Sequence, residues 1–270
     1  MVSHCAINQD FPLLHALCLE PPIYLVPNFL SAAQCAAIVQ SAFGSLPPAE
    51  AEDYHSAAAA TAVTADHRPR TSCSVDTCDE WCGKIQRQVQ LLTQQSPLQM
   101  ERPTVTRYCA GQQYVAHHDA FPPGDELAGP ECGGNRICTV LVYLNEVPHG
   151  GCTRFHHARF RGKTQGADGL SVKPQAGSAV VFFPSDAETG LYDPTAMHSA
   201  EMAVDEKWVA QTWVRQGPPG RMATMAGRAE ATAAAAAASS RLLATGTCSS
   251  TRPPEPEAAA GAGTWRFFPD

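Results

Sequence analysis

The 270-residue sequence predicts an α+β fold: a sandwich or barrel of short antiparallel strands, two helices in front of it, and a low-complexity tail behind. Three observations predict it. Before about residue 100 the apolar residues recur at helical spacing, and from 103 the period changes to two. Between 103 and 216 short β-branched and aromatic runs are punctuated by Gly and Pro. After Gly217-Pro218-Pro219-Gly220 the composition shifts to Ala, Ser, Thr and Gly.

In chain order, residues 1–19 read as an irregular N-terminus, and Pro22 to Val26 as a strand. Ser31 and Gln34 form a capping box for a first helix, whose buried face is Cys35, Ile38, Val39 and Ala42. Residues 45–69 are Ala-rich and aperiodic, a surface loop. Arg70-Thr71-Ser72 leads into a second helix around 76–95, with Trp81, Ile85, Val89 and Leu92 on one side. Eight or so strands follow: 104–108, 113–118, 137–144, 152–156, 170–173, 178–183, 197–202 and 208–214. A Pro/Gly-rich loop, 121–135, interrupts them. Residues 218–270 hold too few large apolar groups to offset the entropy of ordering, and are expected to be disordered.

Composition excludes some classes. A formal charge of −7 and a pI near 5.8 argue against a nucleic-acid-coating protein, so no nucleic-acid partner is expected. Asp10, Pro12 and His15 interrupt any leader-like pattern, and no run of 18 apolar residues occurs. The expectation is a soluble intracellular protein with no membrane segment. The 11 cysteines are scattered without C-x-x-C pairs, as expected of thiols in a reducing compartment.

The chemistry centres on Tyr114-Val115-Ala116-His117-His118-Asp119. On a strand, His117 and Asp119 project to the same side and offer an imidazole and a carboxylate to one point. A third ligand from a later strand would complete the two-His-one-carboxylate face that holds Fe(II) and leaves positions open for substrate and O2. His149, His156, His157 and His198 are the candidates. His198 is set apart by Lys207-Trp208, nine residues on: a buried cation there can pair with the far carboxylate of a dicarboxylic cosubstrate whose 2-oxo-acid end chelates the iron.

At this point the residues resemble the prolyl 4-hydroxylases. The resemblance rests on Glu20-Pro21-Pro22-Ile23-Tyr24 through Asn28-Phe29-Leu30, Arg70-Thr71-Ser72, and Arg107-Tyr108-x-x-Gly111-Gln112-x-Tyr114-x-x-His117-x-Asp119. It continues through Gly133-Gly134-Asn135-Arg136, Thr139 to Asn145, Gly150-Gly151-x-Thr153-x-Phe155, Val172-Lys173-Pro174, Gly177-Ser178-Ala179, Phe182-Phe183 and His198 to Trp208. It covers residues 20–217.

The resemblance implies a double-stranded β-helix (jelly-roll) with Fe(II), 2-oxoglutarate, O2 and ascorbate. It carries over His117, Asp119 and His198 as metal ligands and Lys207 as the 2-oxoglutarate anchor, with Tyr108, Tyr143 and Thr139 lining the cosubstrate pocket. The implied reaction hydroxylates an unactivated C–H, with release of succinate and CO2. The best substrate is a prolyl residue in a peptide or protein; another side chain or a small molecule is the alternative. Three departures concern the substrate end. The spacing from His198 to Lys207 is nine where collagen- and plant-type members have ten, Cys152 replaces a common Glu, and Met202 replaces a Pro. A halogenase would lack the carboxylate that Asp119 supplies. A non-catalytic β-barrel binding module would have little reason to carry all three ligands and Lys207.

Overall fold

The computed structural model describes residues 2–43, 71–74, 79–158 and 169–220. The expected loop at 45–69, Arg70 and the tail beyond Gly220 lie outside the described residues.

Eleven strands and two α-helices are described. In order they are β1 (His15–Leu19), β2 (Pro22–Val26), α1 (Ala32–Phe43), β3 (Thr71–Ser74), α2 (Asp79–Thr93), β4 (Thr104–Tyr108), β5 (Tyr114–His117), β6 (Arg136–Tyr143), β7 (Thr153–Phe155), β8 (Leu170–Val172), β9 (Ala179–Phe182), β10 (His198–Ala200) and β11 (Lys207–Arg215). They form a seven-stranded sheet, β1-β2-β9-β6-β11-β4-β3, and a four-stranded sheet, β5-β10-β7-β8, antiparallel throughout. This is the jelly-roll the resemblance implies.

Two expectations are corrected. Residues 15–19 are not irregular: they pair with β2, His15 opposite Leu25. Thr71–Ser74 is an edge strand on β4 rather than a lead-in to α2. Both runs are short, and their pairing is supplied by a partner strand rather than by their own pattern. The α1 capping box forms as expected: the Gln34 amide N–H donates to Ser31 Oγ at 3.2 Å, and the Ser31 N–H to Gln34 Oε1 at 2.8 Å.

The middle strands of the seven-stranded sheet are buried on both faces, which is why β6 and β11 read as nearly continuous apolar runs. Alternate residues divide between two cores. Val140, Val142, Val181, Ala210 and Val214 face outward, in one cluster with Ile38 of α1 and Ile85, Val89 and Leu92 of α2. Leu141, Tyr143, Val180, Phe182 and Val209 face inward, in a second cluster with Phe155 and Leu170 of the smaller sheet.

One irregularity matters for the site. In the β6–β11 ladder Thr139 faces Trp213 and Cys138 faces Val214, but Arg215 faces Arg136, so Ile137 is an extra residue. Strict alternation would put Arg136 and Thr139 on opposite faces; this bulge puts both on the inner one.

Candidate metal centre and cosubstrate pocket

His117 ends β5 and His198 begins β10, and the two are direct cross-strand partners, their ring centroids 4.3 Å apart. Asp119 sits in the bend just beyond β5. The three residues bring one ligand atom each to within 4.8 Å of one another. Asp119 Oδ1 lies 3.5 Å from His117 Nε2 and 3.8 Å from His198 Nε2.

The tautomers are set by the backbone. His117 Nδ1 is 2.8 Å from the Val115 carbonyl, and His198 Nδ1 is 3.1 Å from the Ala196 carbonyl. A carbonyl only accepts, so each Nδ1 carries a proton, which leaves Nε2, the atom facing Asp119, as the one available to a metal. Burial, then the neighbouring His117, lowers the His198 imidazole to about 4, so it is neutral at pH 7. Burial alone would raise the Asp119 carboxyl; the imidazoles of His198 and His117 and the Arg136 guanidinium instead hold it well below the usual carboxylate range. Two imidazole Nε2 atoms and one ionised carboxylate, brought to one point, are a donor set that fits Fe(II). Phe182, at 4.5 Å and edge-on to His198, and Phe155 wall the centre from behind.

The other histidine candidates stand apart. His149 is exposed and pairs with Asp205 at 2.9 Å, and His156 Nε2 meets the Ser199 hydroxyl at 3.0 Å.

Lys207 is fully buried, opposite Tyr108 in the β11–β4 ladder, and points inward. Its ammonium donates to the Gly151 carbonyl at 2.6 Å and lies 5.2 Å and 5.7 Å from the Tyr108 and Tyr143 rings. Burial pushes it down to about 8, against the opposing pull of Cys152 and Glu201. Met202 is exposed in the turn between β10 and β11, and β11 pairs with β4 in a continuous register from Lys207. Gly151 has φ +68°, and a Cβ there would come within 3.2 Å of Lys207 Cδ, so the Gly150-Gly151 motif makes room for the lysine stem.

A cavity of about 100 Å³ joins these parts: His117, Asp119 and His198 line it together with Lys207, Tyr108 and Thr153. Thr139 and Tyr143, expected beside the cosubstrate, are one layer back. The Thr139 hydroxyl donates to Asp119 Oδ2 at 2.8 Å, and the Tyr143 hydroxyl donates to Thr153 Oγ1 at 2.8 Å. Burial raises the Tyr143 phenol, which therefore remains a neutral donor. Thr153 and the Gly151 carbonyl were not singled out from sequence. The motif containing them was visible, but their roles depend on the fold around Lys207.

The remaining inward cations, Arg136 and Arg215, share one carboxylate. Glu101 takes Arg136 in a two-point pair at 2.7 and 2.8 Å, and Arg215 Nε lies 2.5 Å from the same carboxylate. No carboxylate among the described residues pairs with the Lys207 ammonium.

The sequence profile of the 2OG-Fe(II) oxygenase superfamily matches residues 103–215, which run from β4 to the end of β11. Prolyl 4-hydroxylase 13 of Arabidopsis thaliana is 30% identical over 220 residues, covering 79% of this chain and 78% of its own length. Probable prolyl 4-hydroxylase 9 of the same plant is 31% identical over 209 residues, covering 73% and 69%. The crystal structure of the viral collagen prolyl hydroxylase of Paramecium Bursaria Chlorella virus-1 shares the fold, with a TM-score of 0.53 at 20% identity over 72% of this chain and 94% of that one. With a jelly-roll, a convergent His-Asp-His face and relatives matched over most of their length, this chain belongs to the prolyl 4-hydroxylase family of 2-oxoglutarate- and Fe(II)-dependent oxygenases.

Proposed function

We propose that His117, Asp119 and His198 hold Fe(II), that Lys207 anchors 2-oxoglutarate, and that the enzyme hydroxylates prolyl residues in a polypeptide. When bound, Fe(II) with 2-oxoglutarate and O2 supplies the oxidation: one oxygen atom enters the substrate C–H bond, the other enters succinate, and CO2 leaves. The residues supply position. The observation that carries the reading is that the metal face and the buried Lys207 share one cavity, so that a dicarboxylate held by the lysine reaches the metal with its other end.

Tyr143 holds the Thr153 hydroxyl on the cavity wall, where Thr153 can turn toward the same carboxylate as Lys207. The lysine and the buried aromatic rings around it keep bulk water from that end, which strengthens the charge pairing. Support for a prolyl substrate comes from the related prolyl 4-hydroxylases. Ascorbate enters from the family resemblance, as the reductant that restores Fe(II) after turnover without substrate.

The test is mass spectrometry on a proline-containing peptide library with Fe(II), 2-oxoglutarate and O2, with succinate measured in parallel. Gain of one oxygen on proline, dependent on iron, supports the reading. Gain confined to another side chain, or succinate without any peptide product, overturns the prolyl assignment while leaving the oxygenase assignment in place.

A further inference from the structure

A carboxylate has two oxygens and binds a metal through one or both, so a site that must keep positions open for other ligands has to govern which. The surroundings of Asp119 are asymmetric in this respect. Oδ1 faces the two imidazole Nε2 atoms, whereas Oδ2 accepts the Thr139 hydroxyl at 2.8 Å. Asp119 is 8% exposed and Thr139 is fully buried, so solvent does not compete for that bond. Asp119 lies past the end of β5, outside the ladder bonds that fix His117 and His198. Its main chain is held from β6 instead: Arg136 Nη1 donates to the Asp119 carbonyl at 3.2 Å. Arg136 is in turn fixed by Glu101 and lies on the Trp213 ring, at 3.8 Å from the ring centre. Both holds depend on the bulge at Ile137, which brings Arg136 and Thr139 to one face.

We infer that Thr139 is a positioning residue that fixes Asp119 as a one-oxygen ligand by occupying Oδ2. The inference rests on the reading of His117, Asp119 and His198 as the metal face. Thr139 touches neither cosubstrate nor substrate; it acts through Asp119. Replacing its hydroxyl by a methyl group leaves Oδ2 buried without a donor, and the carboxylate then loses the orientation that the metal needs.

Co(II) titration followed by visible absorption, without turnover, tests this on the full chain. Thr139→Val is expected to weaken Co(II) binding about 10- to 100-fold, the range for loss of a partner behind a ligand. Thr139→Ser, which restores the donor, is expected to bind near the wild-type level. Melting of the metal-free proteins checks folding, and Thr139→Ala replaces Thr139→Val under the same criteria if the latter does not fold. Wild-type affinity in the folded variant lacking the hydroxyl, or Thr139→Ser binding as weakly as Thr139→Val, overturns the inference. Asp119→Ala, titrated alongside, separates the two readings. If it too binds Co(II) as wild type, the metal face itself is wrongly assigned; if it loses binding while Thr139→Val does not, only the role of Thr139 falls.

Discussion

The two faces of the seven-stranded sheet are built from alternate residues of the same strands, yet they do different work. The outer face, against α1 and α2, is hydrocarbon: Val140 and Val142 of β6 and Ala210 and Val214 of β11. The inner face intersperses polar groups among Leu141, Val180 and Val209. Thr139 bonds Asp119, and Tyr143 bonds Thr153. Lys207 is a buried ammonium whose hydrogen-bond acceptor is the Gly151 carbonyl, and burial lowers it accordingly. A buried charge left short of partners is costly, so under the proposed anchor role the 2-oxoglutarate carboxylate would recover there what folding gave up. The contrast teaches that in strands buried on both sides stability and ligand binding can be separated by the parity of one strand position.

The comparison can be broken in three ways. The largest effect is expected at the metal face: His198→Ala, His117→Ala or Asp119→Ala should abolish 2-oxoglutarate turnover with the fold largely intact. Full succinate release in His198→Ala, with loss in His149→Ala or His156→Ala, would place the centre on the wrong imidazole. Next is the outer face, where Ile85→Ala should cost about 2–5 kcal/mol of stability by leaving a cavity, while turnover per folded molecule stays at the wild-type level. Denaturant melts paired with initial rates measure both; a large loss of rate in the folded fraction would show that the faces are not independent.

The smallest effect is expected at the inner cation. A charge-assisted pair of this kind is worth about 1.5–3 kcal/mol, so Lys207→Ala should raise the 2-oxoglutarate requirement roughly tenfold to a few hundredfold, with Co(II) affinity little changed. The sign with pH follows from the lowered lysine. Below about 8 the ammonium is charged and the anchor is present; as pH rises through about 8 the free enzyme loses its proton and the 2-oxoglutarate requirement should climb. Lys207→Arg, which keeps its charge, should flatten that climb. A pH-independent requirement in the wild type would remove Lys207 from the anchor role.

Much of this was legible in the chain. The switch of period near 103 located the strand region, and the continuous apolar runs of β6 and β11 marked strands covered on both sides. His117-x-Asp119, His198 and Lys207 were singled out by residue type and spacing, and the structure brings all four to one cavity. What escaped were contacts made by backbone or by a second layer. Nothing in the residue type of Gly151 announces that its carbonyl receives Lys207, and Thr139 was placed beside the cosubstrate when its hydroxyl lies on Asp119. The strand at 15–19 escaped because five residues on a sheet edge carry little periodicity of their own.

The sequence by itself determined the side-chain pattern: which strand positions alternate, where α1 begins, and which imidazoles, carboxylate and ammonium were available. These are local properties, recorded in the spacing of residue types along the chain. Only the tertiary structure decided that His117 and His198 would be cross-strand partners, that a bulge at Ile137 would turn Arg136 toward Asp119, and that Lys207 would be buried against the Gly151 carbonyl. Those outcomes depend on strand pairing and register across many intervening residues, and on backbone N–H and C=O groups, which every residue but proline carries alike and no spacing of side chains records.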